Sequence, residues 1–302
     1  VRERRRALKR ESLKAEIAAR RNLAKIVTGK RPPRRRRLPR QREPRPIALA
    51  YFAELRPMLE RLRRLVDARI FPALERWHAA ATRHLDALEL ELRADAYSDE
   101  VEEMVDGMAR DFFSEFPNEQ LRRKARAVAR RTSDFNREEL GKQFAAALGV
   151  ELRTLEPWLG DKVDAFAARN VTLIKTLPEA YLSDVKTSVL GALGKGETVE
   201  DLAAKLRGHF DEADEKASNK AIRIARTEVG RLNGEMNEAR QRELGVDRYV
   251  WRTVQDNRVR EEHFEREGKS YSWKNPPADG HPGEAIMCRC FAEPDLSEFF
   301  GD

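Results

Sequence analysis

From Ile47 to Gly245 apolar residues return every three or four positions with almost no strand texture, and this pattern restricts the fold of the 302-residue chain more than any other feature. Leu49, Phe52, Leu55, Leu59, Leu62, Leu65, Val66, Ile70, Leu74, Trp77, Leu85 and Leu88 make the first run, with Pro57 and Pro72 expected as kinks or boundaries. Ser98 to Phe116 opens with a candidate Ser cap followed by acids, as a helix start should. Asn118 to Leu148 ends at Gly149, a suitable residue beyond a helix C-terminus. Further helices are expected near 155–168, 178–193, 198–209 and 214–244, the last stopping at Gly245 with Arg240 and Arg242 near its end. Only past Gly245 do short β-prone runs appear, at Tyr249–Val254 and Lys269–Trp273, with a helix-compatible stretch from Asn257 to Glu267 between them. The expected fold is therefore mainly α: an extended helical body over 47–195, a small C-terminal α+β domain over 196–302, and no internal repeat that would make a solenoid.

Ahead of this body lies a segment of opposite character. Residues 1–46 carry 15 Arg and 4 Lys against 4 Glu, a net of +15, which leaves 40 basic and 48 acidic residues for the remainder. The first part, Arg4 to Val27, places Leu8, Leu13, Ile17, Leu23 and Ile26 among Arg and Ala and could become a basic helix on a partner. The second, Gly29 to Pro46, holds five prolines among arginines and reads as an extended linker with too little apolar surface to order itself. Arginines in this number, with no recognition module, suit phosphate neutralisation without base readout. Arg4, Arg5, Arg6, Arg20, Arg21, Arg34, Arg35, Arg36 and Arg37 are the expected DNA contacts. A solvated tail, or a tether for an acidic protein surface, is the alternative.

The remaining composition narrows the classes. A charged fraction of 37% with 7% aromatic residues suits solvent-bathed amphipathic helices. No run of about 18 apolar residues occurs, so no membrane span is expected, and the basic start lacks the apolar core of a secretory leader. No phosphate-binding loop is present: Gly191, Gly194 and Gly196 lack the required spacing to a Lys-Thr pair.

Two polar constellations could carry chemistry. His263, His281, Cys288 and Cys290 form an H-x17-H-x6-C-x-C set with the ligand types that Zn²⁺ prefers for a structural site, although C-x-C is a tighter bite than the usual zinc hairpin. The competing reading places Cys288 and Cys290 alternately across a short strand, with the histidines bonding within loops. One intervening residue is too short for an ordinary disulfide. Asp256, Arg258, Arg260 and His263 form the second cluster. As a catalytic set, Asp256 would orient His263 for acid–base work on a nucleic acid; as a structural one, Asp256 would cap the following helix. No second nucleophile or carboxylate pair accompanies the histidine, which favours the structural reading and a non-enzyme.

Several motifs in order extend the reading. A-R-T-E ends at Arg226–Glu228, Y-V-W-R-T-V-Q-D-N-R-V-R-E-E-H runs from Tyr249 to His263, G-K-S-Y-S-W from Gly268 to Trp273, and P-G-E-A-I-M-C-R-C from Pro282 to Cys290. Together they resemble the Mu F-like domain of phage head-morphogenesis or minor head proteins, with similarity reaching back to about residue 130. The resemblance implies a low-copy structural protein inside the head of a tailed phage, assembled in the host cytoplasm and associated with the portal vertex. It further implies contact with the portal protein and phage DNA, and with major capsid or scaffold protein. Head assembly and genome packaging or delivery are the implied roles. Arg226, Glu228, Asp256, Arg258 and Arg260 fall on the family motif, and no cofactor is required beyond a possible structural zinc. No toxin-type extension is expected past Asp302. A metal-dependent nuclease and a DNA-compacting protein are the alternatives from other classes.

Overall fold

A computed structural model describes residues 38–81, 87–149, 151–152, 154–192 and 199–297, without the side chains of 78–97. The expected DNA contacts from Arg4 to Arg37, together with Gly194 and Gly196, lie outside the described residues. Among the described residues five long helices run in order, α1 (Arg45–Ala81), α2 (Ala87–Glu115), α3 (Asn118–Leu148), α4 (Leu159–Ala192) and α5 (Val199–Glu243). They are followed by β1 (Arg248–Arg252), the single-turn α6 (Glu261–Phe264), β2 (Ser270–Ser272) and β3 (Phe291–Pro294). The mainly helical fold with a small C-terminal α+β part is what the periodicity dictates.

The helices are longer and fewer than sequence punctuation suggests. Pro57 and Pro72 lie within an unbroken α1. Each proline removes one backbone donor, but both sit on the exposed side of the helix along with Ala53 and Ala68, four residues earlier, whose freed carbonyls can bind water. Pro178 likewise lies inside α4, and Ser98 is interior to α2 rather than its cap. Chain reversal occurs where glycine permits it: Gly149 (φ 67°) and Gly245 (φ 80°) adopt left-handed conformations. At Gly245 the amides of Gly245 and Val246 bond back to the carbonyls of Arg242 and Gln241, which closes α5 and aims the chain into β1.

The chain forms two compact units, each assembled from separate stretches: Leu49–Ala125 with Ala167–Ala225, and Val1–Ala48 with Arg126–Phe166 and Arg226–Asp302. Sequence texture divides the chain serially at 46 and 195; compactness gathers non-adjacent segments, because the long helices pass from one unit into the other partway along their length.

The all-helical unit is built on apolar stripes. Tyr51, Leu55, Leu62, Val66, Ile70 and Trp77 of α1 are all buried, as are Val101, Met108 and Phe112 of α2 and Leu202, Leu206 and Phe210 of α5. Phe71 and Phe210 meet with ring centroids 5.8 Å apart. Arg63 spans this unit's surface, bonding Asp67 (2.8 Å), Asp211 (2.8 Å) and Asp214 (2.7 Å).

The C-terminal unit contains an antiparallel sheet in the order β2-β1-β3, with Tyr249 opposite Tyr271 and Trp251 opposite Ala292. β3 is absent from the sequence reading because Glu293 and Pro294 disguise it. As an edge strand it tolerates Pro294, and buried Glu293 pairs with Arg252 at 2.8 Å. Alternation along β1 turns Tyr249 and Trp251 into a cluster with Trp273, Cys288, Cys290 and Ala292.

Residues 38–44 correct the linker expectation. Leu38 packs against Leu140, Phe144, Ala147, Val246 and Leu296. The Pro39 carbonyl accepts from Gln143 Nε2 (2.9 Å), Arg40 donates to the Thr253 carbonyl, and Gln41 exchanges amide hydrogen bonds with Asn237 (3.1 and 2.9 Å). Arg42 closes on Glu139 through backbone and side chain, at 2.8 to 2.9 Å. The segment lacks apolar surface, as its composition says, but polar partners from α3 and α5 hold it instead.

Candidate functional site

The second half of α5 is a platform. Thr227, Gly230, Arg231 and Gly234 recur at helical spacing, and the loop 282–288 lies across them. Gly230 and Gly234 admit backbone directly: a Cβ on Gly230 would meet the Cys288 carbonyl at 3.4 Å, and one on Gly234 would overlap the Pro282 carbonyl. Gly283 (φ 98°) turns the loop with its own Cα side against the Gly230 carbonyl. Arg231 donates to the Glu284 carbonyl (3.2 Å), and Thr227 Oγ1 accepts from the amide of Met287 (3.2 Å), a non-glycine residue at φ 57°. A strained residue therefore stands immediately before Cys288, held by the threonine of the A-R-T-E motif.

That loop delivers Cys288 and Cys290 beneath His263 of α6. Nδ1 of His263 lies 3.6 Å from Cys288 Sγ and 3.4 Å from Cys290 Sγ, and the three donor atoms all fall within 4.8 Å of one another. His263 Nε2 is 2.7 Å from Asp279 Oδ2. A carboxylate can only accept, so Nε2 carries a proton, and in the neutral form of the ring Nδ1 is the atom whose lone pair faces the sulfurs. Asp279 is itself bound by Arg266 (2.5 Å), whose guanidinium stacks over Trp251 at 5.0 Å; Trp251 meets the His263 ring edge-on at 5.2 Å. All three donors are buried, and neither cysteine is in a disulfide.

The electrostatics follow from these contacts. The hydrogen bond with Cys288 raises the His263 pKa, burial opposes that rise, and Asp279 adds to it. The Cys288 thiol is pulled down by hydrogen bonding from Cys290 against the cost of burial, while Cys290, facing Cys288 in the same apolar cluster, is pushed up. The pair thus favours one thiolate rather than two.

The four expected zinc ligands separate into three and one. His281 stands apart, its Nδ1 3.0 Å from the hydroxyl of Tyr249, whose ionisation burial opposes, and its ring 4.9 Å from Trp273. Cys288 and Cys290 do not alternate across a strand. Both are buried on irregular chain just before β3. Asp256 does not orient His263; its carboxylate grips Arg289 through two hydrogen bonds and accepts the Arg258 amide at 3.1 Å, closing a turn rather than capping α6. Arg258 is exposed, and Arg260 donates to the Ile286 carbonyl at 2.6 Å. Arg226 pairs with Glu43 at 3.5 Å, and buried Glu228 lies 3.7 Å from Arg231. Sequence reasoning missed Asp279, which sits in a Pro-Gly-rich loop with no periodicity to single it out, and it missed the glycine spacing at 230 and 234.

Known proteins share this part of the chain. Residues 183–293 match the family model described as phage Mu protein F like protein. A Haemophilus influenzae strain Rd protein, described only as an uncharacterized protein, is 34% identical over 165 residues, or 53% of this chain and 36% of that relative. The chain therefore spans about a third of the length of the curated relative it matches, 36%. No solved structure matches. The matched stretch contains the glycine platform of α5, the three-stranded sheet and the His–Cys–Cys cluster, and it is in these residues, 183–293, that the chain is similar to the phage Mu protein F like family.

Proposed function

We propose that the chain is a minor head, or head-morphogenesis, protein of a tailed phage, acting by binding other head components and DNA rather than by catalysis. The observation that carries this reading is the family match over 183–293. Asp256, the carboxylate read from the sequence as orienting His263 in a nuclease, bonds Arg289 instead. No helix among the described residues is long and apolar enough to cross a membrane.

Within that reading the basic segment contacts packaged DNA, and the C-terminal unit docks on the portal or on capsid and scaffold proteins at the portal vertex. Arg40 and Arg42 are engaged by Thr253 and Glu139, so the phosphate contacts fall to the arginines of residues 1–37. The test compares the chain with a variant lacking residues 1–37 for retention on duplex DNA across a salt series. The intact chain should lose affinity steeply with salt, the slope reporting the number of phosphates neutralised, and the shortened chain should lose most of its binding at low salt. Equal binding by the two removes DNA from the reading. Failure to find the protein in purified heads by mass spectrometry removes the head assignment.

A further inference from the structure

We propose that His263, Cys288 and Cys290 bind one Zn²⁺ ion, with water as the fourth ligand and Asp279 as the residue that positions His263. This site differs from the four-residue set read off the sequence, since His281 is not a ligand, and it does not depend on the head-protein reading.

Geometry carries the argument. Zinc takes thiolate sulfur at about 2.3 Å and imidazole nitrogen at about 2.0–2.1 Å, so two such donors at tetrahedral corners stand about 3.5 Å apart. His263 Nδ1 is 3.6 and 3.4 Å from the two sulfurs, so these edges of the tetrahedron are already in place. The imidazole ring is also held in the orientation a metal needs. Asp279 accepts a hydrogen bond from Nε2–H at 2.7 Å and leaves Nδ1 to bind the metal, the carboxylate–histidine–metal relay found at zinc sites. Asp279 is in turn fixed by Arg266 at 2.5 Å. Among the described residues no fourth His, Cys, Asp or Glu joins the cluster.

The setting explains what the ion would do. The cluster lies in an apolar core with Tyr249, Trp251, Trp273 and Ala292, which would resist two thiolates without a cation. Zn²⁺ with two thiolates and a neutral imidazole has no net charge, and binding releases the two thiol protons. The ion would join α6 to the loop that crosses α5, two elements with few regular backbone hydrogen bonds of their own. Soft sulfur donors select zinc over magnesium or calcium.

The test uses the full chain purified without chelators or metal-affinity resin. Zinc is counted by plasma mass spectrometry, and Co²⁺ is exchanged in to read the thiolate-to-cobalt charge-transfer band. The expected result is about one zinc per chain and a cobalt band from two sulfurs. Cys290→Ser should drop the zinc content at least tenfold while His281→Ala keeps it. Because Cys290→Ser could fail to fold, Asp279→Asn provides the second arm, and its zinc affinity should fall about 10- to 100-fold with the helical circular dichroism unchanged. A folded wild-type chain with less than a tenth of an equivalent of zinc and no cobalt band overturns the proposal. So does loss of zinc from His281→Ala equal to that from Cys290→Ser, and unchanged affinity in Asp279→Asn removes the positioning role.

Discussion

Among the described residues, Asn170 is the one buried amide or charged side chain of the all-helical unit, where it accepts from the Tyr51 hydroxyl at 3.0 Å. The C-terminal unit buries Gln41, Ser133, Asn136, Glu139, Gln143, Glu156, Asn233, Asn237, Arg240, Gln241, His263 and others. The first unit is held by apolar area, which is tolerant of exact partner choice; the second adds to its apolar clusters a network of buried side chains that bond one another. Arg240 is the centre of that network. With no exposed surface, it bonds Glu156 (2.8 Å), Ser133 Oγ (2.7 Å) and Asn136 Oδ1 (2.6 Å). Asn136 continues to Asn237 (2.8 Å), and Gln241 joins the helix to the sheet through the Ala292 carbonyl (2.8 Å) and the Trp273 indole (3.2 Å).

The comparison is broken most directly by removing one member from each unit. Arg240→Ala leaves the Glu156 carboxylate buried beside unsatisfied Ser133 and Asn136 and should cost about 3–5 kcal/mol. Leu62→Ala in the all-helical unit removes only apolar contacts and should cost about 2–5 kcal/mol depending on how far the cavity collapses. Size alone does not separate the two. Rescue does: Leu62→Met should recover most of the loss, whereas Arg240→Lys, which lacks the planar fork, should recover little. Hydrogen exchange resolved by segment reads both, and full rescue by Arg240→Lys would show the network to be less specific than its geometry.

Acid should distinguish the units next. Burial opposes ionisation of Glu156, but hydrogen bonds from Arg240, Arg137 and Thr154 outweigh it and bring the pKa down from 4.5 to about 2. Glu139 is brought to about 2 in the same way by Arg42 and Lys142. A carboxylate with a depressed folded pKa contributes stability that is complete above its unfolded value and is lost as pH falls through the folded one. The C-terminal unit should therefore weaken between about pH 4.5 and pH 2, by on the order of 3 kcal/mol for Glu156 alone. Exchange protection in α3 beyond Arg126 should fall in that window, and the Glu156→Gln variant should flatten the dependence. Equal acid sensitivity in both units would contradict the contrast.

The same contrast explains what could be read from the sequence. The stripe from Tyr51 to Trp77 announces a buried helix face because its residues are apolar at helical spacing. Asn136, Glu139 and Gln143, or Asn233, Asn237 and Arg240, have the same spacing and are buried too, yet polar stripes ordinarily face water, so nothing in one chain segment says that a second polar stripe covers it. Residues 38–44 escape a sequence reading for that reason, since composition registers missing apolar surface and not waiting polar partners. At the site, residue types point to His263, Cys288 and Cys290 because few other side chains suit a soft metal. They point equally to His281, whose distance from the cluster only the fold determines. Asp279 and the strained Met287 depend on loop conformation, which no periodicity encodes.

The glycine platform offers the mildest probe, and it acts on the C-terminal unit alone. Gly234→Ala adds one methyl group where the Pro282 carbonyl sits, a backbone atom that cannot swing away as a side-chain tip could. Alanine favours helix by up to about 1 kcal/mol over glycine, so an open position would gain stability. Here overpacking of about 1–3 kcal/mol should outweigh that gain and lower the melting point. Gly208, on the same helix with nothing within 4 Å of an added Cβ, is the internal control, and Gly208→Ala should stabilise. Opposite signs for one substitution at two points of α5 would show that the helix is an ordinary amphipathic element in its first half and a backbone-binding groove in its second. Stabilisation by both would mean that the 282–288 loop can lift from α5 at little cost, and the His–Cys–Cys cluster would then need another anchor.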